Sequence, residues 1–324
     1  MNTYVGEYKS HAKAILLGEH SIVHGGYAIA SAIPELTLKA RAILAEQENE
    51  SPVRNTFRFD GEQIDEAYLK ERYPGISCIL EILPIPEGYS LNLEIDSQIP
   101  QSRGLGSSAA SALAVSKALC EAIEKHSLET TGSLIFFDDR EIHNLVSKAE
   151  DAVHTKASGL DQAAVTSNGT IFFSKGSDGM NAWEELPTIG ACLVVADTGI
   201  EKDTGRSVGE INRRLKSGDK YVSETLETLG NLALKNRESW DLNHLKQIGS
   251  DMDLAQELLS SLNLSTPELD KLIRIMKNAG ALGAKLSGGG CGGIAIGLFK
   301  TEKEAIKAVA SIEASGRTAW KVRI

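Results

Sequence analysis

Apolar and polar positions alternate across Leu36 to Ile43 and again through Tyr89, Leu91, Leu93 and Ile95, the period-two pattern of half-buried antiparallel strands. The pattern then changes to period 3.6. Ala112, Val115, Leu119, Ala122 and Ile123 share one helical face, as do Ile142, Leu145, Val146, Ala149 and Val153, so two helices are predicted on either side of residue 130. From about 206 to 278 the spacing is helical almost throughout, and Thr266-Pro267 supplies a cap and a first-turn proline before Leu269, Leu272, Ile273 and Met276. The end of the chain is mixed again. An apolar strand is predicted at Ile294 to Phe299, then a helix opened by the capping box Thr301/Glu304 and stopped at Gly316, then a strand alternating Trp320, Val322 and Ile324. No internal repeat or low-complexity linker interrupts this order. Strands, a block of helices, then strand, helix and strand predict an α+β protein of two lobes, residues 1–180 and 181–324, divided at the turn-rich segment 176–180.

Composition narrows the function classes. The 324 residues are 42% apolar and 24% charged, enough to build an ample core, so neither disorder nor collagen-like order is expected. The net charge of −10, with no basic run, argues against a nucleic-acid or membrane-surface partner and for a small solute. No run approaches the roughly 18 apolar residues of a membrane span. The apolar run Ala14–Leu17 is stopped by Gly18, too short for the core of a secretory signal, and export is not expected. Cys78, Cys120, Cys192 and Cys291 are scattered without a CxxC pair, so neither a disulfide framework nor a zinc clip is predicted, and a cytoplasmic location fits.

Four segments carry candidate chemistry. Pro100-Gln-Ser-Arg-Gly104-Leu105-Gly106-Ser107-Ser108-Ala109-Ala110 lies between a predicted strand and a predicted helix, where glycines admit a phosphate close to the backbone and a helix start offers unpaired N–H groups. It lacks the Gly-Lys-Ser/Thr ending of a P-loop, and an ordinary serine cap is the alternative. In Gly288-Gly-Gly290-Cys-Gly292-Gly293, five glycines occupy six positions. Each costs roughly 0.5–1 kcal/mol against alanine in ordered structure, which favours close approach to a ligand or another chain segment over a simple hairpin. Lys13 to Gly26 places Lys13, Glu19, His20 and His24 at the end of an apolar strand; the His spacing resembles a zinc helix, but Glu19 precedes the first His and glycines bracket the run. A solvated strand-edge lysine is the bland alternative for Lys13. In Glu150 to Ala163, Glu150 falls roughly 80° from Ile142 around its helix, on the flank of the apolar face. Asp161 opens another short helix behind Ser158, and dipole stabilisation alone is its ordinary role.

Taken in order, these segments resemble the three motifs of the GHMP kinase superfamily, named for galactose, homoserine, mevalonate and phosphomevalonate kinases, over residues 13 to 299. The opening Lys-Ala-Ile-Leu-Leu-Gly-Glu-His-Ser-Ile-Val-His-Gly is most similar to the mevalonate kinases. The resemblance implies a two-lobed fold with the active site in the cleft, and ATP-dependent phosphorylation of the 5-hydroxyl of mevalonate in isoprenoid precursor synthesis. It further implies Asp161 and Lys13 as catalytic residues, Gly104, Leu105, Gly106, Ser107, Ser108 and Ala109 around the ATP phosphates, and Ser108 and Glu150 as ligands of Mg²⁺. Glu19, His20, Thr204, Gly289 and Gly290 fall on the mevalonate side, and a homodimer is compatible with the family. The chain departs from the family pattern at His11-Ala12, where many relatives have Pro-Gly, and at Cys291, more often Gly or Ala. Alternatives are a kinase of the same superfamily acting on phosphomevalonate or a sugar, or a silent ligand-sensing relative. Against the silent reading, Lys13, Ser108, Glu150 and Asp161 are all present.

Overall fold

The computed structural model describes residues 2–47, 55–133, 135–153, 158–176, 181–201 and 204–324, apart from the side chains of Thr204 and Arg206. The chain begins with strand β1 (Thr3–Leu17), a 3₁₀ turn (Ser21–His24), β2 (Gly26–Glu46), β3 (Thr56–Phe59), β4 (Glu62–Ile64), α1 (Glu66–Arg72), α2 (Pro74–Ile82) and β5 (Tyr89–Ser97). There follow α3 (Ser107–Thr131), α4 (Asp139–Val153), α5 (Leu160–Thr166), β6 (Thr170–Lys175), β7 (Asn181–Leu186) and β8 (Cys192–Asp197). The last part holds α6 (Thr204–Lys216), α7 (Lys220–Asp241), α8 (Leu245–Ser261), α9 (Pro267–Asn278), β9 (Gly283–Ser287), β10 (Ile294–Phe299), α10 (Glu302–Glu313) and β11 (Ala319–Arg323). The architecture is α+β, as the two periodicities predict. It forms two compact units: Met1–Ala12, Leu36–Ile99 and Gly106–Thr166 in the first, and Lys13–Glu35, Pro100–Leu105 and Ser167–Ile324 in the second. All but Gly176 of the anticipated turn at 176–180 lies outside the described residues.

In the first unit the later half of β2 pairs antiparallel with β5, which pairs parallel with β3, itself the partner of β4 in a hairpin. The alternation read from the sequence is real: Leu36, Leu38, Ala40, Ala42 and Leu44 of β2 and Tyr89, Leu91, Leu93 and Ile95 of β5 are buried. Helix α3 packs against α2, α4 and α5, and α2 against α4. On α4 the predicted face Ile142, Leu145, Val146 and Ala149 is buried; Val153 is exposed because it ends the helix.

In the second unit the opening part of β2 pairs with β6, and β6 with the edge strand β7. A separate antiparallel sheet runs in the order β11-β8-β10-β9. Its inner strands are apolar without alternation because helices cover the sheet: α8 packs on β9, α9 on β9 and β10, and α10 on β8 and β11. Thr266 accepts from the Leu269 N–H and opens α9, and the capping box of Thr301 and Glu304 is formed. At β11, Val322 and Ile324 are buried as predicted while Trp320 is half-buried, this strand being at the sheet edge. Among the described residues no helix is long and apolar enough to cross a membrane.

Candidate active site

The serine cap, the alternative for the loop after β5, is not formed. Gly106, in the left-handed conformation at φ 73°, is the N-cap of α3, and no side chain caps the helix. Ser107 and Ser108 are instead its first two residues, both partly exposed, so their hydroxyls are not consumed by the helix end. The Ala110 N–H already reaches the Gly106 carbonyl at 2.9 Å, which leaves the N–H groups of Ser107, Ser108 and Ala109 without intrahelical acceptors. A 25-residue helix stands behind this start, its first turn holds no acidic residue, and Gly104 and Gly106 have positive φ, so its chemistry suits an anion.

Also in the first unit, Glu150 is 4% exposed on α4, beside Ala149. Asp161 is the second residue of α5 and half-buried. The Ser158 hydroxyl accepts from the Leu160 N–H at 3.2 Å, and Gln162 Nε2 donates to the His143 carbonyl at 2.6 Å, which fixes α5 on α4. Residues 154–157, the approach to this segment, lie outside the described residues.

In the second unit Lys13 is 2% exposed, which overturns the solvated-lysine alternative. Its N–H donates to the Leu105 carbonyl at 2.9 Å, setting β1 against the glycine loop. β1 then ends at Gly18, and His20 takes φ 60°, unusual for a residue with a Cβ, before the 3₁₀ turn. His20 Nε2 donates to the Gly289 carbonyl at 3.1 Å, joining the first and third motifs. A second tie runs through Ser287, whose hydroxyl accepts from the Ile15 N–H at 2.8 Å and donates to the Ile15 carbonyl at 2.9 Å. Beneath them Glu19 is ion-paired with Lys285 of β9, and neither side chain is exposed. Burial pushes the Glu19 carboxyl up and the Lys285 ammonium down, and their mutual attraction opposes both shifts. Lys285 was not singled out from the sequence, although a lysine inside the apolar strand Gly283–Ser287 was the available signal. Among the described residues no three His, Cys, Asp or Glu side chains are grouped to hold a metal.

The late glycines are shaped by other chain segments. A Cβ at Gly290 would lie 2.5 Å from the Leu264 carbonyl oxygen, and one at Gly293 2.6 Å from that of Arg103. Both also have positive φ, 75° and 79°. Cys291 occupies the same left-handed region at φ 57°, held by its N–H to the Leu264 carbonyl at 2.7 Å. The second unit thus brings Gly104, Leu105, Lys13, Glu19, His20, Gly289 and Gly290 into one bonded assembly, and the first collects Gly106 to Ala109, Glu150 and Asp161 on three mutually packed helices. The backbone of Thr204 opens α6; its side chain is outside the description.

The sequence pattern of the GHMP kinases N terminal domain matches residues 68–169, and that of the GHMP kinases C terminal matches 231–318. A mevalonate kinase of Aeropyrum pernix is 30% identical, covering 96% of this chain and 94% of its own. One of Thermococcus sibiricus is 31% identical over 87% of this chain and 85% of its own. Among solved structures, L. major mevalonate kinase in complex with R-mevalonate superposes with a TM-score of 0.77 at 24% identity, covering 100% of this chain and 96% of that one, a likeness of fold. By sequence over nearly its whole length, the chain belongs to the mevalonate kinase family of the GHMP kinases.

Proposed function

We propose that this chain transfers the γ-phosphoryl group of ATP to the 5-hydroxyl of mevalonate, giving 5-phosphomevalonate and ADP. The observation that carries the reading is the agreement of relatives named mevalonate kinase, aligned over most of both chains at about 30% identity. An alcohol is a weak nucleophile, so the chemistry needs a group to accept its proton and a cation to meet the developing charge. Asp161 takes the hydroxyl proton and Lys13 stabilises the negative charge. The N–H groups at the start of α3, with Gly104 and Leu105 before them, hold the phosphates. Glu19, His20, Thr204, Gly289 and Gly290 form the mevalonate side. In support, Lys13 and Glu19 are buried and His20 is tied to the third motif, so this side is preorganised before substrate arrives.

Magnesium, when bound, supplies charge neutralisation to the phosphate oxygens. Ser108 and Glu150 would hold it. They fit such an ion: a hydroxyl and a carboxylate are the hard oxygen donors it prefers, and both stand on helices that pack together, α3 and α4. A reducing cytoplasmic setting is supported by four cysteines that are all free thiols.

ADP release measured side by side with mevalonate, phosphomevalonate, homoserine and galactose tests the reading. Mevalonate should give the largest turnover. Equal or greater release with another alcohol would replace the substrate and leave the family membership intact.

A further inference from the structure

Arg103 stands immediately before Gly104, and its guanidinium is folded into the second unit, with only 15% of the side chain exposed. Its Nε lies 3.2 Å from Asp197 Oδ1, at the end of β8, and its Nη2 donates to the Gly199 carbonyl at 3.2 Å. The turn it grips is itself closed. Asp197 Oδ1 accepts from the Gly199 N–H at 2.8 Å, and Thr198 donates to the Gly293 carbonyl through both its N–H at 3.0 Å and its hydroxyl at 2.6 Å. The Gly293 N–H returns to the Ile200 carbonyl at 3.0 Å, while Gly293 also lies directly against the Arg103 carbonyl. Arg317 packs against Gly199, where even a methyl group would meet its guanidinium. Two residues on from Arg103, the Leu105 carbonyl accepts from Lys13. The glycine loop is therefore pinned at one point by the strand that carries Lys13 and at the other by the end of β8.

We propose that Arg103 is a positioning residue: through Asp197 and Gly199 it locks the glycine loop to the turn at 197–200, so that affinity for ATP depends on an ion pair that touches neither ATP nor mevalonate. The proposal rests on the reading of that loop as the phosphate site. Its physical basis is the fork geometry of arginine. One planar group meets a carboxylate and a carbonyl two residues apart, which a lysine ammonium on a flexible stem does not reproduce. The guanidinium is also largely desolvated; Nε and Nη1 are buried and have no hydrogen-bond partner among the described residues, so its orientation depends on the ion pair with Asp197 and the single hydrogen bond from Nη2 to Gly199. A backbone cradle holds phosphate only while its N–H groups keep their positions, and a loop released at one end loses that order before the chemistry is touched.

The test compares Arg103→Met, Arg103→Lys, Asp197→Asn and the double variant Arg103→Met/Asp197→Asn with wild type. ATP binding is measured by calorimetry without the second substrate, alongside KM for each substrate, kcat and Tm. The dissociation constant for ATP should rise about tenfold in Arg103→Met, the scale of one hydrogen bond to a charged group. Arg103→Lys, which keeps the charge and guards against loss of folding, should show a smaller rise with a Tm near wild type. The double variant should bind ATP no worse than Arg103→Met, because both changes break the same link. ATP affinity within twofold of wild type in Arg103→Met, whatever its Tm, overturns the proposal, as do additive losses in the double variant. Wild type that binds ATP but does not phosphorylate mevalonate would overturn the substrate assignment alone, and the binding series would still decide the role of Arg103.

Discussion

Glu19 and Lys285 stand 266 residues apart in sequence and form an ion pair with no exposed side-chain surface on either partner. Such a pair is held together by geometry more than it stabilises the fold, since the cost of taking both charges out of water is comparable to their attraction. The second carboxylate oxygen, Oε2, is buried without a hydrogen-bond partner among the described residues. Its value lies in specifying where β9 meets the end of β1, directly under His20.

Breaking this pair on one side should therefore be far worse than removing both halves. Glu19→Gln or Lys285→Met alone should cost about 3–5 kcal/mol, because each strands a desolvated polar or charged group. The double variant should recover much of that loss. Urea titration of the three proteins reads the difference, and a double variant as unstable as the sum of the singles would show that the pair is not the coupled unit described here.

A second ion pair, Glu302 with Lys321 between α10 and β11, behaves oppositely and predicts a pH dependence. Hydrogen bonding to Lys321 holds the Glu302 carboxyl below its ordinary 4.5, and hydrogen bonding to Glu302 holds the Lys321 ammonium above its ordinary 10.5. A depressed carboxyl contributes stability present above 4.5 and lost as pH falls through its folded value. A raised ammonium contributes stability present below 10.5 and lost as pH rises through its folded value. Glu302→Gln should thus flatten the Tm profile at both ends, its deficit against wild type being largest at neutral pH, where both contributions are present, and fading toward either extreme. Glu302 is exposed and Lys321 half-buried, so solvent reaches the pair and added salt should shrink the effect.

Local periodicity made the elements legible and left their long-range partners hidden. The alternation at Leu36 to Ile43 and the face Ile142, Leu145, Val146 and Ala149 are burial patterns, and burial is what periodicity reports. Strand β8, Cys192 to Asp197, carries no alternation because it is covered on both sides, and it was not anticipated. Nor does composition signal that β1 and β2 each pass from one unit to the other. For the candidate site, the motifs marked Lys13, the glycine loop, Glu150 and Asp161. What they did not mark were the partners that hold those residues, Lys285 under Glu19 and Asp197 beside Arg103. Charge pairing between segments this far apart in sequence leaves no trace in either segment alone. The glycine cluster was ambiguous for the same reason, and Leu264 and Arg103 supply its cause.

Glu150→Gln separates a metal ligand from a buried structural carboxyl. The amide is nearly isosteric, so α4 should keep its packing and Tm should stay close to wild type. The Mg²⁺ concentration needed for half-maximal activity should rise by about tenfold or more, because a neutral amide is a poorer ligand for a hard dication. A Mg²⁺ titration superimposable on wild type would remove Glu150 from the metal site.

Asp161→Asn sets the two roles of one carboxyl against each other. As the second residue of α5 it interacts favourably with the helix start, a contribution of about 0.3–1 kcal/mol that asparagine loses only in its charge component. If that were its whole role, kcat would stay within a few-fold of wild type and only Tm would slip. As the group that accepts the 5-hydroxyl proton it should matter by about 10²–10⁴-fold in kcat, the usual size of general-base assistance, with little change in Tm or in ATP affinity. An amide cannot accept the proton, whereas it retains the shape and most of the hydrogen bonding of the acid. Kinetics and thermal melts on the one variant therefore separate outcomes that differ by orders of magnitude. A variant with near wild-type kcat would move proton transfer to another group and leave the buried cation of Lys13 without its catalytic counterpart.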